Sequence, residues 1–314
     1  MLVVCGAMLL APVGGSSTSS ELLLSPYLPR TAHQAYGYSL AHGRLSRPPA
    51  RDWLLSSERA ILSPEDADLP LDAEGRFDSG DPGALGLRFG ARGGQRVYVE
   101  IETQPDGSAE EASLFVDVFA ADSASPQLID SAPPSRSSGS GAIQRRLELA
   151  VLEPSDFVLR VQPTLGYTGK YRISVRAAPL LSFPVEGMDT RAILSGFGAE
   201  RDGGARAHRG VDIFAPRGTP ALAAMDSWVS RVETTRRGGN VVWLQPLFGD
   251  MRLYYAHLDT QAVQPGDFVL AGEAVGTVGN TGNAITTPPH LHFGVYLRRR
   301  GMRGGARDPY PFLD

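Results

Sequence analysis

The chain has 314 residues, a formal net charge of -4 and 42% hydrophobic residues. This length is enough for two domains with buried cores, and the composition is ordinary for globular protein. The slight negative charge gives no electrostatic support for nucleic-acid binding. Because Cys5 is the single cysteine, no internal disulfide can form. Any metal site must therefore draw mainly on His, Asp or Glu.

Residues 1–20 begin with an apolar run followed by a stretch of small residues, which is typical of a signal or targeting segment. The run is short for a membrane span, and no charged residue precedes it. We expect export to the periplasm or the cell envelope. Cys5 is either a cleaved or buried thiol or a lipid-attachment site. The first is favoured because Val4 is bulkier than the small residue that usually precedes a lipidated cysteine.

Residues 21–65 are predicted to form a helical segment. Thr31 is a candidate N-cap at the start of "RTAHQAYGYSLAH". In "PPARDWLLSSERAIL", Leu54 and Leu55 recur one heptad later as Ile61 and Leu62, which predicts an apolar stripe. Two prolines, Pro48 and Pro49, separate the two predicted helices.

Residues 66–178 contain short alternating runs such as "RVYVEIE", "LFVDVFA" and "KYRISVRA", broken by Gly, Pro, Asp and Ser. At least six such runs predict an antiparallel β-sandwich. Their pattern resembles the small pre-peptidase modules of secreted bacterial peptidases. Residues 179–187 are predicted to be a linker, and 188–314 a second, β-rich domain. The predicted fold class is thus mainly β, with a helical segment, a sandwich and a second β-sheet domain in that order.

Two histidines follow two prolines in "TTPPHLHFGVY", residues 286–296. In a strand, His290 and His292 share one face, while Leu291, Phe293 and Val295 form the opposite, core-facing side. Proline restricts its own backbone and favours extended geometry in the residue before it. The prolines therefore deliver the chain rigidly into the histidines, as a metal or proton-transfer site requires. The pattern leaves open which histidine would contact a metal.

Two further segments carry candidate ligands. In "AHRGVDIF", His208 and Asp212 would share a strand face, with Gly210 between them leaving room. In "LYYAHLD", His257 lies in an aromatic, strand-like run. Catalytic zinc usually takes three protein ligands and one water, so these candidates would leave groups for acid–base work. The HExxH helix of the common zinc peptidases is absent from the sequence.

Five segments occur together and in order: "SGFGAERDGGARAHRGVDIFAPRGTPALAA", "GGNVVWL", "LYYAHLD", "VGTVGNTGNA" and "PPHLHFGVY". Over roughly residues 187–312 they resemble the lysostaphin-type zinc endopeptidases that cut peptidoglycan peptides. The resemblance implies an antiparallel β-sheet core with a groove, and hydrolysis of cell-wall peptide bonds by a zinc-activated water. It implies zinc ligation by His208, Asp212 and His292, and catalytic roles for His257 and His290.

Other residues are weaker candidates. Tyr255, Asn240 and Asn283 are predicted to bind substrate, with Tyr255 expected on the same strand face as His257. Peptidoglycan peptides are the expected partner, with cell-envelope proteins as further candidates and no nucleic acid. One alternative function stays open, because some relatives of such domains have lost metal ligands and activate other wall hydrolases without cutting the wall. In that case the chain would be a non-enzymatic activator or a scaffold.

Overall fold

A computed structural model describes residues 31–42, 48–81, 83–106, 113–121, 126–132, 142–201, 203–247, 250–298 and 305–313. The described chain is mainly β, with two helices at its N-terminal end, as predicted. The predicted signal segment 1–20 and Cys5 lie outside the described residues. Neither helix in the described ranges is long and apolar enough to cross a membrane.

Two helices, α1 (Ala32–His42) and α2 (Pro48–Leu62), form the helical segment. Thr31 accepts a hydrogen bond from the backbone N–H of Gln34, as expected of an N-cap. The predicted apolar stripe is wrong, because Leu55 and Leu62 are exposed. The buried face of α2 instead carries Ala50, Trp53, Ser57 and Ala60.

A buried polar network joins these helices to the strands behind them. The Trp53 Nε1–H donates to the Pro163 carbonyl at 2.8 Å. His33 Nε2 lies 2.7 Å from Gln162 Oε1. The Arg160 guanidinium donates hydrogen bonds to Ser57 and to Asp117. Ser57 was too polar for a sequence pattern to assign to a buried face, yet here its hydroxyl has a buried partner.

Nine strands follow and form two mainly antiparallel sheets with one buried core between them, as predicted. The strand orders are β1-β3-β8-β5-β6 and β2-β9-β4-β7. The short edge strands β1 and β6 complete the first sheet, where β1 pairs in parallel with β3. The bounds are β1 (Glu65–Asp66), β2 (Leu71–Phe77), β3 (Leu85–Ala91), β4 (Gln95–Pro105), β5 (Leu114–Ala120), β6 (Gln127–Ser131), β7 (Ile143–Val151), β8 (Ser155–Pro163) and β9 (Gly169–Pro179).

Residues 179–187 join the two β regions but do not form an exposed linker. Leu180, Leu181 and Val185 are buried in the core of the C-terminal sheet. The Leu181 N–H donates to the Phe312 carbonyl, and the Ser182 N–H donates to the Ala224 carbonyl. The apolar side chains of this segment complete the second core, and its role as a linker stays a prediction. The division of the chain into independently folding domains stays a prediction.

Ten strands of the C-terminal region form one sheet, whose main order is β10-β13-β20-β17-β16-β15-β18. Strand β19 pairs with β17 and β14, and β21 pairs with β20, while β11 and β12 form a separate ribbon. The bounds are β10 (Ile193–Ser195), β11 (Glu200–Arg201), β12 (Arg206–Ala207), β13 (Val211–Phe214), β14 (Pro220–Leu222), β15 (Ser227–Thr235), β16 (Gly239–Pro246), β17 (Met251–Gln261), β18 (Phe268–Val269), β19 (Ala274–Val278), β20 (His290–Leu297) and β21 (Gly305–Arg307).

The central strand β20 divides its side chains between two faces, as its sequence predicts. Leu291, Phe293 and Val295 have no exposed surface and lie in the core. His290 and His292 project from the opposite face, beside β13 and β17. The strict period of two in a strand thus places both imidazoles on the outer face of the sheet.

Candidate metal and catalytic site

Three side-chain atoms on the outer sheet face converge within hydrogen-bond distance of one another. His208 Nε2 lies 2.9 Å from His292 Nδ1. Asp212 Oδ1 lies 3.0 Å from each of those two nitrogens. All three side chains are largely buried. Among the described residues, this trio is the group of His, Cys, Asp and Glu arranged to hold a metal ion.

The backbone builds this convergence through strand register. Asp212 on β13 stands directly opposite His292 on β20 in an antiparallel pair. Gly210 lies just before β13, where a Cβ atom would be 2.4 Å from the Phe293 carbonyl oxygen and 2.9 Å from the His292 ring. A side chain at 210 would therefore displace a ligand. The sequence-based expectation that Gly210 leaves room for the site agrees with this contact.

The donor set fits zinc. Two imidazole nitrogens and one carboxylate oxygen are ligand atoms that Zn²⁺ takes at about 2.0–2.1 Å, and in a tetrahedron such atoms lie about 3.3 Å apart. The observed separations of 2.9–3.0 Å are within a few tenths of an ångström of that spacing. With three ligands from the chain, a fourth position is left for water or substrate.

A second layer of contacts orients two of the three ligands, His208 and Asp212. His208 Nδ1–H donates to the Gly196 carbonyl at 2.8 Å, so that Nε2 carries the lone pair facing the site. Arg201 Nη2 donates to Asp212 Oδ2 at 2.6 Å and to Ser195 Oγ at 2.6 Å. Such outer contacts fix the tautomer and the orientation of metal ligands. Sequence reasoning missed Arg201, which has no spacing signature of its own.

The environment keeps Asp212 ionised. Burial acts to raise the pKa of this carboxyl, but its interactions with the His208 and His292 rings outweigh burial and hold the pKa well below its usual range. An ionised carboxylate beside two imidazoles is the protonation state that a cation requires. The three groups therefore form a preorganised anionic pocket at neutral pH.

His290 stands next to the trio without joining it. Its Nδ1–H donates to the Pro288 carbonyl at 2.9 Å, and its ring stacks on Phe214 with centroids 5.0 Å apart. Its Nε2 lies 4.0 Å from Asp212 Oδ1. The Pro288 carbonyl thus selects the tautomer in which Nε2 is free to accept a proton. The proline pair serves the site through its carbonyl as well as through its stiffness.

His257 reaches the site through an unusual backbone conformation. It is the only non-glycine residue of the described chain with a positive φ, at 63°. Its Nδ1–H donates to the Thr281 carbonyl at 2.9 Å, and its ring lies 5.1 Å from that of His290. Burial lowers the pKa of His257 to about 4, so the ring is neutral at pH 7 and its Nε2 can accept a proton.

The prediction for Tyr255 is wrong. Its side chain has no exposed surface, and its hydroxyl accepts a hydrogen bond from the Ala224 N–H in the core. Alternation along β17 failed because the positive φ of His257 turns that residue onto the outer face. The tyrosine on the site face is Tyr254, whose ring lies 5.8 Å from His292. Burial raises the pKa of Tyr254 to about 12.

The two predicted asparagines have different surroundings. Asn240 donates to the Leu258 and Asp259 carbonyls and accepts from Thr234, so its carboxamide is used to hold the β16–β17 hairpin together. Asn283 is exposed, in a turn two residues beyond Thr281, whose carbonyl orients His257. A substrate contact by Asn283 stays a prediction, as does one by Asn240.

Residues 206–307 match the family model for peptidase family M23. The expected lysostaphin-type peptidase domain is thus confirmed for this region, which is about a third of the chain. All five histidine and aspartate side chains of the site lie within the match. The pre-peptidase resemblance of the preceding sandwich stays a prediction.

Two relatives illustrate the extent of the similarity to the M23 region. The peptidoglycan DD-endopeptidase ShyC of Vibrio cholerae is 35% identical over 130 residues, which are 40% of this chain and 29% of ShyC. The glycyl-glycine endopeptidase ALE-1 of Staphylococcus capitis is 39% identical over 107 residues, which are 34% of this chain and 29% of ALE-1. The chain thus spans under a third of the length of either relative.

One solved structure is the catalytic domain of lysostaphin from Staphylococcus simulans. It is 35% identical to this chain, and the match covers 37% of this chain and 87% of that domain, with a TM-score of 0.33.

Proposed function

We propose that the chain is a zinc-dependent endopeptidase that hydrolyses peptide bonds in bacterial peptidoglycan. One observation carries the proposal: the ligand trio and two further histidines lie on one sheet face, each held by a contact of its own. The match of residues 206–307 to a peptidase family supports the reaction class. The match of individual residues to the motifs of lysostaphin-type endopeptidases supports the same assignment of roles as the geometry does.

His208, Asp212 and His292 would hold the metal. A zinc ion bound there supplies Lewis acidity, which polarises a carbonyl group and lowers the pKa of water. The Arg201 and Gly196 contacts keep the ligand atoms of Asp212 and His208 aimed at one point before the metal arrives. A site formed in advance loses little conformational entropy on binding.

His257 and His290 would move protons during hydrolysis. Each donates Nδ1–H to a backbone carbonyl, and each therefore presents an unprotonated Nε2. One such nitrogen can take the proton from the attacking water and return it to the leaving amine. The protonated partner can then stabilise negative charge on the carbonyl oxygen of the substrate. The division of these two tasks between the rings is left open.

The names of the relatives support peptidoglycan as the substrate class. ShyC is named for DD-peptide bonds and ALE-1 for glycyl-glycine bonds. Because these bonds differ, we propose the polymer and leave the bond unassigned. Asn283 is exposed two residues beyond Thr281, whose carbonyl orients His257. It is the predicted residue best placed to contact the polymer. A wall substrate also agrees with the expected export to the cell envelope.

The test is digestion of purified peptidoglycan by the zinc-loaded protein, with mass analysis of the released fragments. We expect products that carry a new amino and a new carboxyl terminus, and none from the Asp212→Asn protein. If the wall is untouched while a second purified wall hydrolase is accelerated, the chain is an activator and the proposal is wrong.

A further inference from the structure

Three aromatic side chains form a cluster on the outer sheet face next to the ligand trio. Trp243 lies on β16, Tyr254 on β17 and Tyr296 on β20. The Trp243 ring is 4.3 Å from that of Tyr254 and 5.3 Å from that of Tyr296, centroid to centroid. We call these three side chains the aromatic shelf. All three are half-buried, so each keeps part of its ring surface exposed.

The aromatic shelf is continuous with the proposed active site. Tyr254 pairs across the sheet with Trp243 on one side and with Gly294 on the other. Gly294 has no side chain, and a Cβ atom there would lie 2.9 Å from the Tyr296 ring. At its other end, Tyr254 lies 5.8 Å from the ring of His292. A ligand on the shelf would therefore extend directly toward the metal ligands.

Planar polar groups border the shelf. Arg231 stands opposite Trp243 on β15, and Arg252 stands opposite Tyr296 on β17. Arg252 Nε lies 3.4 Å from Gln245 Oε1. The rings thus lie among hydrogen-bond donors with fixed fork geometry.

We propose that the aromatic shelf binds sugar rings of the glycan strand to which the cleaved peptide is attached. A pyranose ring presents apolar C–H groups on its faces and hydroxyl groups around its rim. The exposed ring surfaces of the shelf complement the faces, and the guanidinium and carboxamide groups complement the rim. Continuity with the trio puts such a sugar beside the peptide. This inference rests on the proposed function, since it names the part of the wall polymer bound outside the cleavage site.

Glycan binding would contribute to turnover by positioning. Contacts to a part of the substrate that does not react can hold the scissile bond in place. Loss of the shelf should then lower kcat/KM on intact wall and leave hydrolysis of a free peptide unchanged. A structural role for the rings would lower both alike.

The first test measures binding of a trimer of β-1,4-linked N-acetylglucosamine by saturation-transfer NMR and calorimetry. The zinc-loaded, unaltered protein should bind the trimer. Trp243→Leu and Tyr296→Leu should each weaken this binding about 10-fold or more. Leucine keeps apolar bulk, and unchanged zinc content would show that each variant is folded. Tyr310→Leu is the matched control, because Tyr310 is an exposed tyrosine of the same region outside the shelf; it should bind normally.

The second test compares the same variants on intact peptidoglycan and on cross-linked stem peptides freed of glycan. We expect Trp243→Leu to lose about 10-fold in kcat/KM on the wall alone. Equal losses on both substrates, or no trimer binding by the unaltered protein, would overturn the inference. Shelf-dependent binding to phosphatidylglycerol vesicles in place of the trimer would also overturn it. If the trimer binds through the shelf but neither substrate is cut, the proposed function fails and glycan binding stands.

Discussion

Arg201 donates a 2.6 Å hydrogen bond to Oδ2 of Asp212, while Oδ1 of the same carboxylate faces His208 and His292. The two oxygens thus have separate tasks, one toward the trio and one toward the arginine. Removing the arginine would leave the carboxylate free to rotate. It would also remove a positive charge near the cation, but Arg201 is 29% exposed and its charge is partly screened. We therefore expect the loss of orientation to dominate.

Arg201→Met should weaken zinc binding about 10- to 100-fold, the usual effect of losing a group that orients a metal ligand. Competition with a fluorescent chelator would measure the zinc dissociation constant. Arg191→Met is the control, because Arg191 pairs with Asp189 at the surface. Equal zinc affinity in the Arg201 variant and the unaltered protein would rule out the positioning role.

The backbone at His257 gives a second prediction, concerning stability. A non-glycine residue at positive φ costs about 1–2 kcal/mol, and glycine avoids most of this cost. His257→Gly should therefore have a higher free energy of unfolding than His257→Ala, by roughly 1 kcal/mol, although both lose the ring and the activity.

Urea denaturation of the two variants would measure this difference. Ala256, in the same strand, is the control. There alanine should be the more stable residue, so that Ala256→Gly lowers the free energy of unfolding. If His257→Ala is the more stable of the two His257 variants, the positive φ is not present in solution.

His33 gives a prediction about pH. Burial, followed by the nearby charge of Arg160, lowers the pKa of His33 to about 3 from its ordinary value of 6.5. The folded state therefore holds the neutral ring, while the unfolded chain binds a proton below pH 6.5. Stability is fully present above that pH and falls by roughly 1.4 kcal/mol per unit as the pH drops toward 3.

Urea unfolding of the helical segment at pH 7 and pH 4.5 would test this. The chain has three tryptophans, so replacing Trp228 and Trp243 with Phe leaves buried Trp53 beside His33 as the sole reporter. His33→Gln should remove most of the pH dependence, and His42→Gln, on the same helix, should keep it. A pH dependence that survives in His33→Gln would assign the effect to another group.

Much of the site could be predicted from the sequence, because the alternation of side chains along a strand depends only on neighbouring residues. The pattern "HLHF" placed His290 and His292 opposite a core of Leu291 and Phe293, and the structure agrees. Tyr255 was misplaced because one positive φ, at His257, breaks the period of two, and nothing in "YYAHL" signals it. Arg201 was missed because its partner Asp212 comes near only when the ribbon of β11 and β12 folds over β13.

Burial in the helical segment also could not be predicted from the sequence pattern. Leu55 and Leu62 are exposed, whereas the polar Ser57 and the charged Arg160 are buried. Burial of Ser57 depends on a hydrogen bond from Arg160, a residue 103 positions away. Hydrophobicity along the helix cannot predict a partner so distant in sequence. The burial of Leu181 beside Phe312, within the predicted linker, has a related cause, since it depends on contacts that form only in the folded chain.

The central claim is that three side chains hold zinc and two move protons. Metal analysis of His292→Ala and His290→Ala, purified side by side, tests it most directly. We predict that His292→Ala loses most of the zinc together with its wall-cleaving activity. His290→Ala should keep about one zinc per chain while turnover falls on the order of 10²-fold or more. Zinc retained by His292→Ala but lost by His290→Ala would contradict the account, as would full zinc in both.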